Sequence, residues 1–201
     1  MIIERRRLCR LGLVAIASLA LPLPALSADA SVAAMEHYGD RLVETMKQAG
    51  GMSIAARYQR LAPIMSSAFD FGTMTRLIVG PGWSSIPGGQ QAALRSAFTR
   101  FICAYYANRI NGYSGQKFEV DPTPASQGGQ KIVKTKMLNT SGSVTQINYL
   151  MIGPRVVDIY FDGTVSEVAA RRSEFAPILA SGGAEALIKA LQEKSASLLA
   201  G

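Results

Sequence analysis

Apolar residues recur at helical spacing through the first half of the chain. Over residues 31–47 they fall at Val32, Met35, Leu42, Val43 and Met46, which predicts an amphipathic helix closed by Gly50-Gly51. Residues 53–69 repeat the pattern with Ile54, Tyr58, Leu61, Met65 and Ala68. Pro63 lacks the N–H that a helix ladder needs, so a bend or split is expected there. Asp70 is placed to cap a short helix through residue 77, which Gly80-Pro81-Gly82 closes. A long helix is predicted over residues 87–110, on the stripe Leu94, Phe98, Phe101, Ile102, Tyr105 and Tyr106.

Beyond Gly112 the period changes to two. Alternating runs cover Lys117–Val120, residues 131–138, Val144–Ile152 and residues 156–161. Ile147, Tyr149 and Met151 fall on one face of the third run, and Val157, Ile159 and Phe161 on one face of the fourth. Asp121-Pro122-Thr123-Pro124, Ser141-Gly142-Ser143 and Gly153-Pro154 punctuate them. Consecutive strands with short turns predict an antiparallel meander. Thr164-Val165-Ser166-Glu167 then reads as a capping box opening a helix over residues 165–179, and a last helix follows over 184–199 with Leu187, Ile188, Leu191 and Leu198 on its stripe. The fold class is therefore α+β, with an antiparallel sheet of about four strands covered by helices.

The first 28 residues are read separately. Arg5, Arg6, Arg7 and Arg10 precede an apolar run from Leu11 to Leu21, then Pro22, Pro24 and small residues through Ala28. That order predicts an export signal, and the run is too short to span a bilayer core of about 30 Å. The arginines fit the general export route and, loosely, the twin-arginine route. The expected organisation is one domain over residues 29–201, with a helical part over 29–112 and the sheet and C-terminal helices over 113–201. Setting the signal aside removes four arginines and one glutamate and lowers the formal net charge from +7 to +4. No basic run remains to support nucleic-acid binding.

Candidate chemistry is sparse. His37 is the only histidine, and no Gly-x-Ser-x-Gly turn accompanies it. Cys9 and Cys103 are the only thiols, which excludes a cysteine-rich zinc site; Cys103 lies in the apolar stretch of the long helix and reads as a small buried hydrophobe. The glycine pairs lack the Gly-Lys-Ser/Thr ending of a phosphate loop. Asp158 and Asp162 stand about 13 Å apart along a strand, too far for shared acid–base work. No metal or cofactor is expected, and no enzyme. What remains is apolar surface: Phe98, Phe101, Tyr105, Ile147, Tyr149, Met151, Val157 and Ile159 are expected to face one another between helix and sheet. Met65, Met74, Met137 and Met151 suit a pocket that adapts to varied chains. The pattern fits a filled core and a hollow one alike.

Two stretches carry a family resemblance. The first runs from Phe69-Asp70-Phe71-Gly72-Thr73-Met74 through Gly80-Pro81-Gly82-Trp83, followed by Phe98-Thr99-Arg100-Phe101 and Tyr105-Tyr106-Ala107-Asn108-Arg109. The second is Val157-Asp158-Ile159-Tyr160-Phe161-Asp162-Gly163 with Thr164-Val165-Ser166-Glu167-Val168-Ala169. Together they resemble the MlaC-type periplasmic phospholipid-binding family, also called the toluene-tolerance family. Asn111-Gly112-Tyr113-Ser114-Gly115 and Arg171-Arg172-Ser173-Glu174-Phe175 resemble its hopanoid-associated HpnM branch. Where the family often has a tryptophan before its aspartate-bearing strand, this chain has Gly153-Pro154-Arg155.

The resemblance implies a sheet of the nuclear-transport-factor-2 type joined to a helical part, with an apolar cavity between them. It implies a periplasmic carrier in a Gram-negative bacterium that moves phospholipid or hopanoid-type lipid between inner and outer membrane systems. It implies no covalent chemistry and no cofactor apart from the bound lipid. The expected protein partner is an inner-membrane ABC-type lipid transport complex, docked transiently by a monomer. The eight apolar residues named above then become the tail contacts. Arg76, Arg109, Arg171 and Arg172 become candidates for a phosphate head group. Two other readings stand beside this one: an enzyme on a related fold, using Tyr160 with Asp158, and a docking module with a solid core.

Overall fold

A computed structural model describes residues 29–201, so the predicted export signal lies outside the described residues. Helix α1 (Ala30–Gln48) starts where the Asp29 carboxylate accepts the Ser31 N–H at 2.9 Å. Helix α2 (Ile54–Ala68) is capped by Ser53 and runs unbroken through Pro63. Pro63 does not split it, because Leu61, Ile64 and Met65 are buried on either side and packing holds the turn that lacks one ladder bond. Helix α3 (Phe71–Val79) opens on Asp70, which accepts the Thr73 N–H at 2.9 Å, and passes into a 3-10 turn over Gly80–Ser85. Helix α4 (Gly88–Arg109) buries Leu94, Phe98, Phe101 and Ile102 of the predicted stripe and half-buries Tyr105 and Tyr106.

The sheet has six strands rather than about four: β1 (Lys117–Val120), β2 (Ala125–Gln127), β3 (Gln130–Leu138), β4 (Val144–Ile152), β5 (Arg155–Phe161) and β6 (Val165–Ser166). All pairings between these strands are antiparallel, in the order β1-β3-β4-β5-β6, with β2 also on β3. The two extra strands hold three and two residues, too few for a period to declare itself. One of them displaces the expected cap: Val165 pairs with Phe161, and Ser166, not Thr164, accepts the Ala169 N–H that opens α5 (Glu167–Ala200). That helix is two segments, 167–182 and 184–200, broken at Gly183, whose φ of 63° suits glycine.

A bulge corrects a second expectation. Leu150 pairs with Asp158, but Met151 pairs with Val156, so Val157 is the extra residue. Val156, not Val157, therefore joins Ile159 and Phe161 on the face shared with Met151, Tyr149 and Ile147.

One cluster of buried side chains draws on α1 to α5 and on β3, β4 and β5. Helix α1 lies against β1 and β3, and α4 packs on α2 and α5. At the α1 crossing, a Cβ on Gly39 would overlap the Phe118 ring, so only glycine permits this approach.

The helical part is stapled to the sheet at one seam. The Asp70 N–H bonds to the Val156 carbonyl at 2.8 Å. The Arg155 guanidinium donates to the carbonyls of Ser67 at 2.9 Å, Ser66 at 3.0 Å and Phe69 at 2.5 Å. These are carbonyls at the end of α2 that have no partner in the helix itself. The Gly153-Pro154 turn thus delivers a cap. Arg155→Ala is expected to lower stability by roughly 1.5–3 kcal/mol, the worth of charge-assisted hydrogen bonds. Arg155→Lys should recover little, because an ammonium lacks the planar fork. Urea unfolding of the three proteins reads both outcomes.

Candidate functional site

An apolar cavity of about 380 Å³ lies between α1, α2, the end of α4 and the inner face of the sheet. Tyr38, Leu42 and Met46 reach it from α1, and Leu61 and Met65 from α2. Tyr106, Arg109 and Ile110 close it from the end of α4. The sheet contributes Met137, Thr145, Ile147, Tyr149, Ile159 and Phe161. Two larger surface hollows, about 640 and 630 Å³, are lined by charged residues such as Glu119, Asp121, Lys134 and Lys136, or Asp40, Arg41, Glu44 and Lys47. Only the smaller space offers an apolar lining of the kind a ligand's hydrocarbon needs.

Its walls differ in stiffness. Tyr38, Phe69 and Tyr149 form a mutually edge-on trio, with ring centroids 5.4 Å (Tyr38–Phe69), 6.0 Å (Tyr38–Tyr149) and 6.3 Å (Phe69–Tyr149) apart. Met46, Met65 and Met137 supply flexible, polarisable surface. Of the methionines noted in the sequence, Met74 and Met151 are instead fully buried in the core.

Of the residues expected to meet tails, Ile147, Tyr149 and Ile159 line this cavity. The others stand elsewhere. Phe98 packs edge-on to Phe71 at 6.3 Å. Phe101 and Tyr105 sit 6.1 Å apart, and Phe101 meets Phe175 of α5 at 5.9 Å. Met151 is in the core, and Val157 is buried at the bulge. The stripes of α1 and α2 supply lining that, Met65 apart, their spacing alone does not point to, because a stripe reads the same over a core and over a hollow.

The four arginines separate in the same way. Arg109 lines the cavity, is itself exposed, and stacks 4.5 Å from the Tyr105 ring centroid. Arg171 stacks on the same ring at 4.4 Å but is committed to Glu167 at 2.7 Å and Glu174 at 2.6 Å. Arg172 packs against Gly80 of the 3-10 turn, and Arg76 is exposed on α3.

Groups with catalytic potential have other roles. Asp158 accepts hydrogen bonds from the Ser166 hydroxyl at 2.6 Å and from the backbone N–H groups of Ile159 at 2.7 Å and Val168 at 3.0 Å. It therefore anchors the start of α5 to β5, and its oxygens are taken. His37 is exposed on α1. Burial pushes the Cys103 thiol up to about 12, so it stays protonated. Among the described residues, no group of three or more His, Cys, Asp or Glu side chains is placed to hold a metal ion, and no helix is long and apolar enough to cross a membrane.

Carboxylates held low in the fold, Glu174 and Asp70 among them, give a pH dependence. Burial pushes Glu174 up, but hydrogen bonds from Lys194 and Arg171 outweigh it and hold the carboxyl below its usual range. Asp70 is likewise pushed up by burial and brought down further by the Thr73 N–H and hydroxyl. A carboxylate lowered in the folded state binds fewer protons there than in the unfolded chain. Its contribution is present above the unfolded value of about 4 and is lost as pH falls through the folded one. The urea midpoint should therefore drop from pH 6 to pH 3, and Glu174→Gln should narrow that drop.

The sequence model of the MlaC protein family matches residues 36–193. This chain belongs to the MlaC family. Seven solved chains match its structure. One is a phospholipid-binding protein from Ralstonia solanacearum in complex with a phospholipid, at a TM-score of 0.73 and 21% identity. The match covers 84% of this MlaC-family chain and 98% of the Ralstonia chain, so the two share a fold. No curated protein sequence matches.

Proposed function

We propose that the chain is a periplasmic lipid carrier. It holds the acyl part of a phospholipid or hopanoid-type lipid in the cavity, with the head group at the mouth beside Arg109. It moves that lipid between inner and outer membrane systems and docks transiently on an inner-membrane transport complex. The observation that carries this reading is the apolar space between α1, α2 and the sheet. Family membership and the fold shared with a phospholipid-bound protein support it.

The magnitudes suit a carrier. At about 30 Å³ per water-sized group, the cavity takes on the order of a dozen methylenes, the size of one acyl tail. At ~0.8 kcal/mol per CH₂ removed from water, that tail gains roughly 10 kcal/mol. A bilayer offers the same tail a comparable gain, so neither extraction nor delivery meets a large step. The Arg171-to-Phe175 stretch that resembles the hopanoid-associated branch serves the α4–α5 seam here, so the lipid class rests on the cavity instead. A docking module with a solid core has less support, given the hollow.

The test is native mass spectrometry of the mature protein from cells, then solvent extraction. A stoichiometric lipid is expected, and its mass names the class. A protein that is empty, and stays empty after incubation with membrane vesicles, would transfer the case to the docking module.

A further inference from the structure

We infer that Tyr38, Tyr106 and Tyr149 form a polar station inside the cavity that holds an acyl carbonyl oxygen, so that the site favours acyl lipids over pure hydrocarbon. This deepens the carrier reading and rests on it.

All three phenols belong to residues that line the cavity. Tyr38 and Tyr149 are edge-on with ring centroids 6.0 Å apart. The Tyr106 hydroxyl oxygen is buried and has no hydrogen-bond partner. A buried hydroxyl left unpaired is destabilising, and phenylalanine would fill the same ring volume without that cost. Packing therefore accounts for the rings but not for the Tyr106 hydroxyl. Burial raises the pKa of all three phenols, so each remains a neutral O–H donor.

A hydrocarbon chain or a polycyclic hydrocarbon skeleton offers such donors nothing. A carbonyl oxygen accepts from them through two lone pairs. An acyl carbonyl can come from the ester of a glycerolipid or from the carboxyl end of a fatty acid. Either would place the first methylenes of the tail against the Tyr38–Phe69–Tyr149 trio and the remainder along Met65 and Met137.

The test compares the mature wild-type protein with Tyr106→Phe and Tyr149→Phe, using three probes: vesicles of a diacyl phosphatidylethanolamine, palmitic acid and hexadecane. Binding is read by native mass spectrometry and by displacement of a fluorescent acyl probe, with a thermal melt to check folding. Loss of one net hydrogen bond should weaken an acyl probe by about five- to tenfold and leave hexadecane unchanged or tighter. A loss for the phospholipid alone assigns the station to the glycerol ester; a loss for palmitic acid as well assigns it to any acyl carbonyl. Equal loss for all three probes, or none in either variant, overturns the station while the carrier reading stands. A wild type that binds none of the probes overturns both.

Discussion

Ile147→Trp should empty the cavity. Ile147 sits in the middle of β4, paired with Thr135 on one side and Phe161 on the other, and its side chain lines the apolar space. A tryptophan there occupies room that tail methylenes would use. Excluding about four methylenes at ~0.8 kcal/mol each costs about 3 kcal/mol, on the order of a hundredfold in affinity. The fold should tolerate the change, because the added ring enters a hollow and gains contacts rather than forcing a filled core apart. Lipid recovered by extraction from the purified variant, set against wild type, is the measurement. Undiminished lipid in a well-folded variant would place the ligand elsewhere.

The second large effect is on stability. Arg171→Met should cost about 3–5 kcal/mol, the usual penalty for breaking a buried ion pair. The side chains of Arg171 and Glu167 are only 11% and 7% exposed, so neither keeps much solvation, and Glu167 would be left as an uncompensated charge. Arg171 also covers the Phe101 and Tyr105 rings, at 5.2 and 4.4 Å. For a chain of this size the melting temperature should fall by roughly 10 °C or more. Glu167→Gln together with Arg171→Met should recover part of that loss, because the stranded carboxylate is gone. A variant melting like wild type would mean that the pair is not structural and would return Arg171 to the head-group candidates.

Arg171 and Arg109 show where sequence reading stops. Both lie near aromatic residues in the chain, and both suit a phosphate. Burial and the partner Glu167 separate them, and partners depend on which helices meet. The helices themselves were legible, since the α4 stripe recurs from Leu94 to Tyr106, and so were β1 and β4, which begin and end where their alternation does. Strands β2 and β6 were not, because two or three residues carry no period. Nor was the exchange of Val156 for Val157, because a bulge reverses the alternation on one side of it and leaves no mark in composition. The cavity was invisible for another reason: Leu42, Met46, Leu61 and Met65 obey the same spacing whether the space beneath them is full or empty.

The crossing at Gly39 has a mechanical consequence. With the Phe118 ring seated where a side chain would be, α1 is pinned to β1 at the middle of its length. Two of the three cavity-lining residues on α1 lie beyond that pin: Leu42 about 4.5 Å and Met46 about 10 Å along the axis, at 1.5 Å per residue. The helix then acts as a lever on a fulcrum. A given tilt displaces Met46 about twice as far as Leu42 and leaves Tyr38, beside the pin, nearly still. Room for a second tail would thus open from the Met46 end, governed by one angle, while the aromatic wall keeps its place.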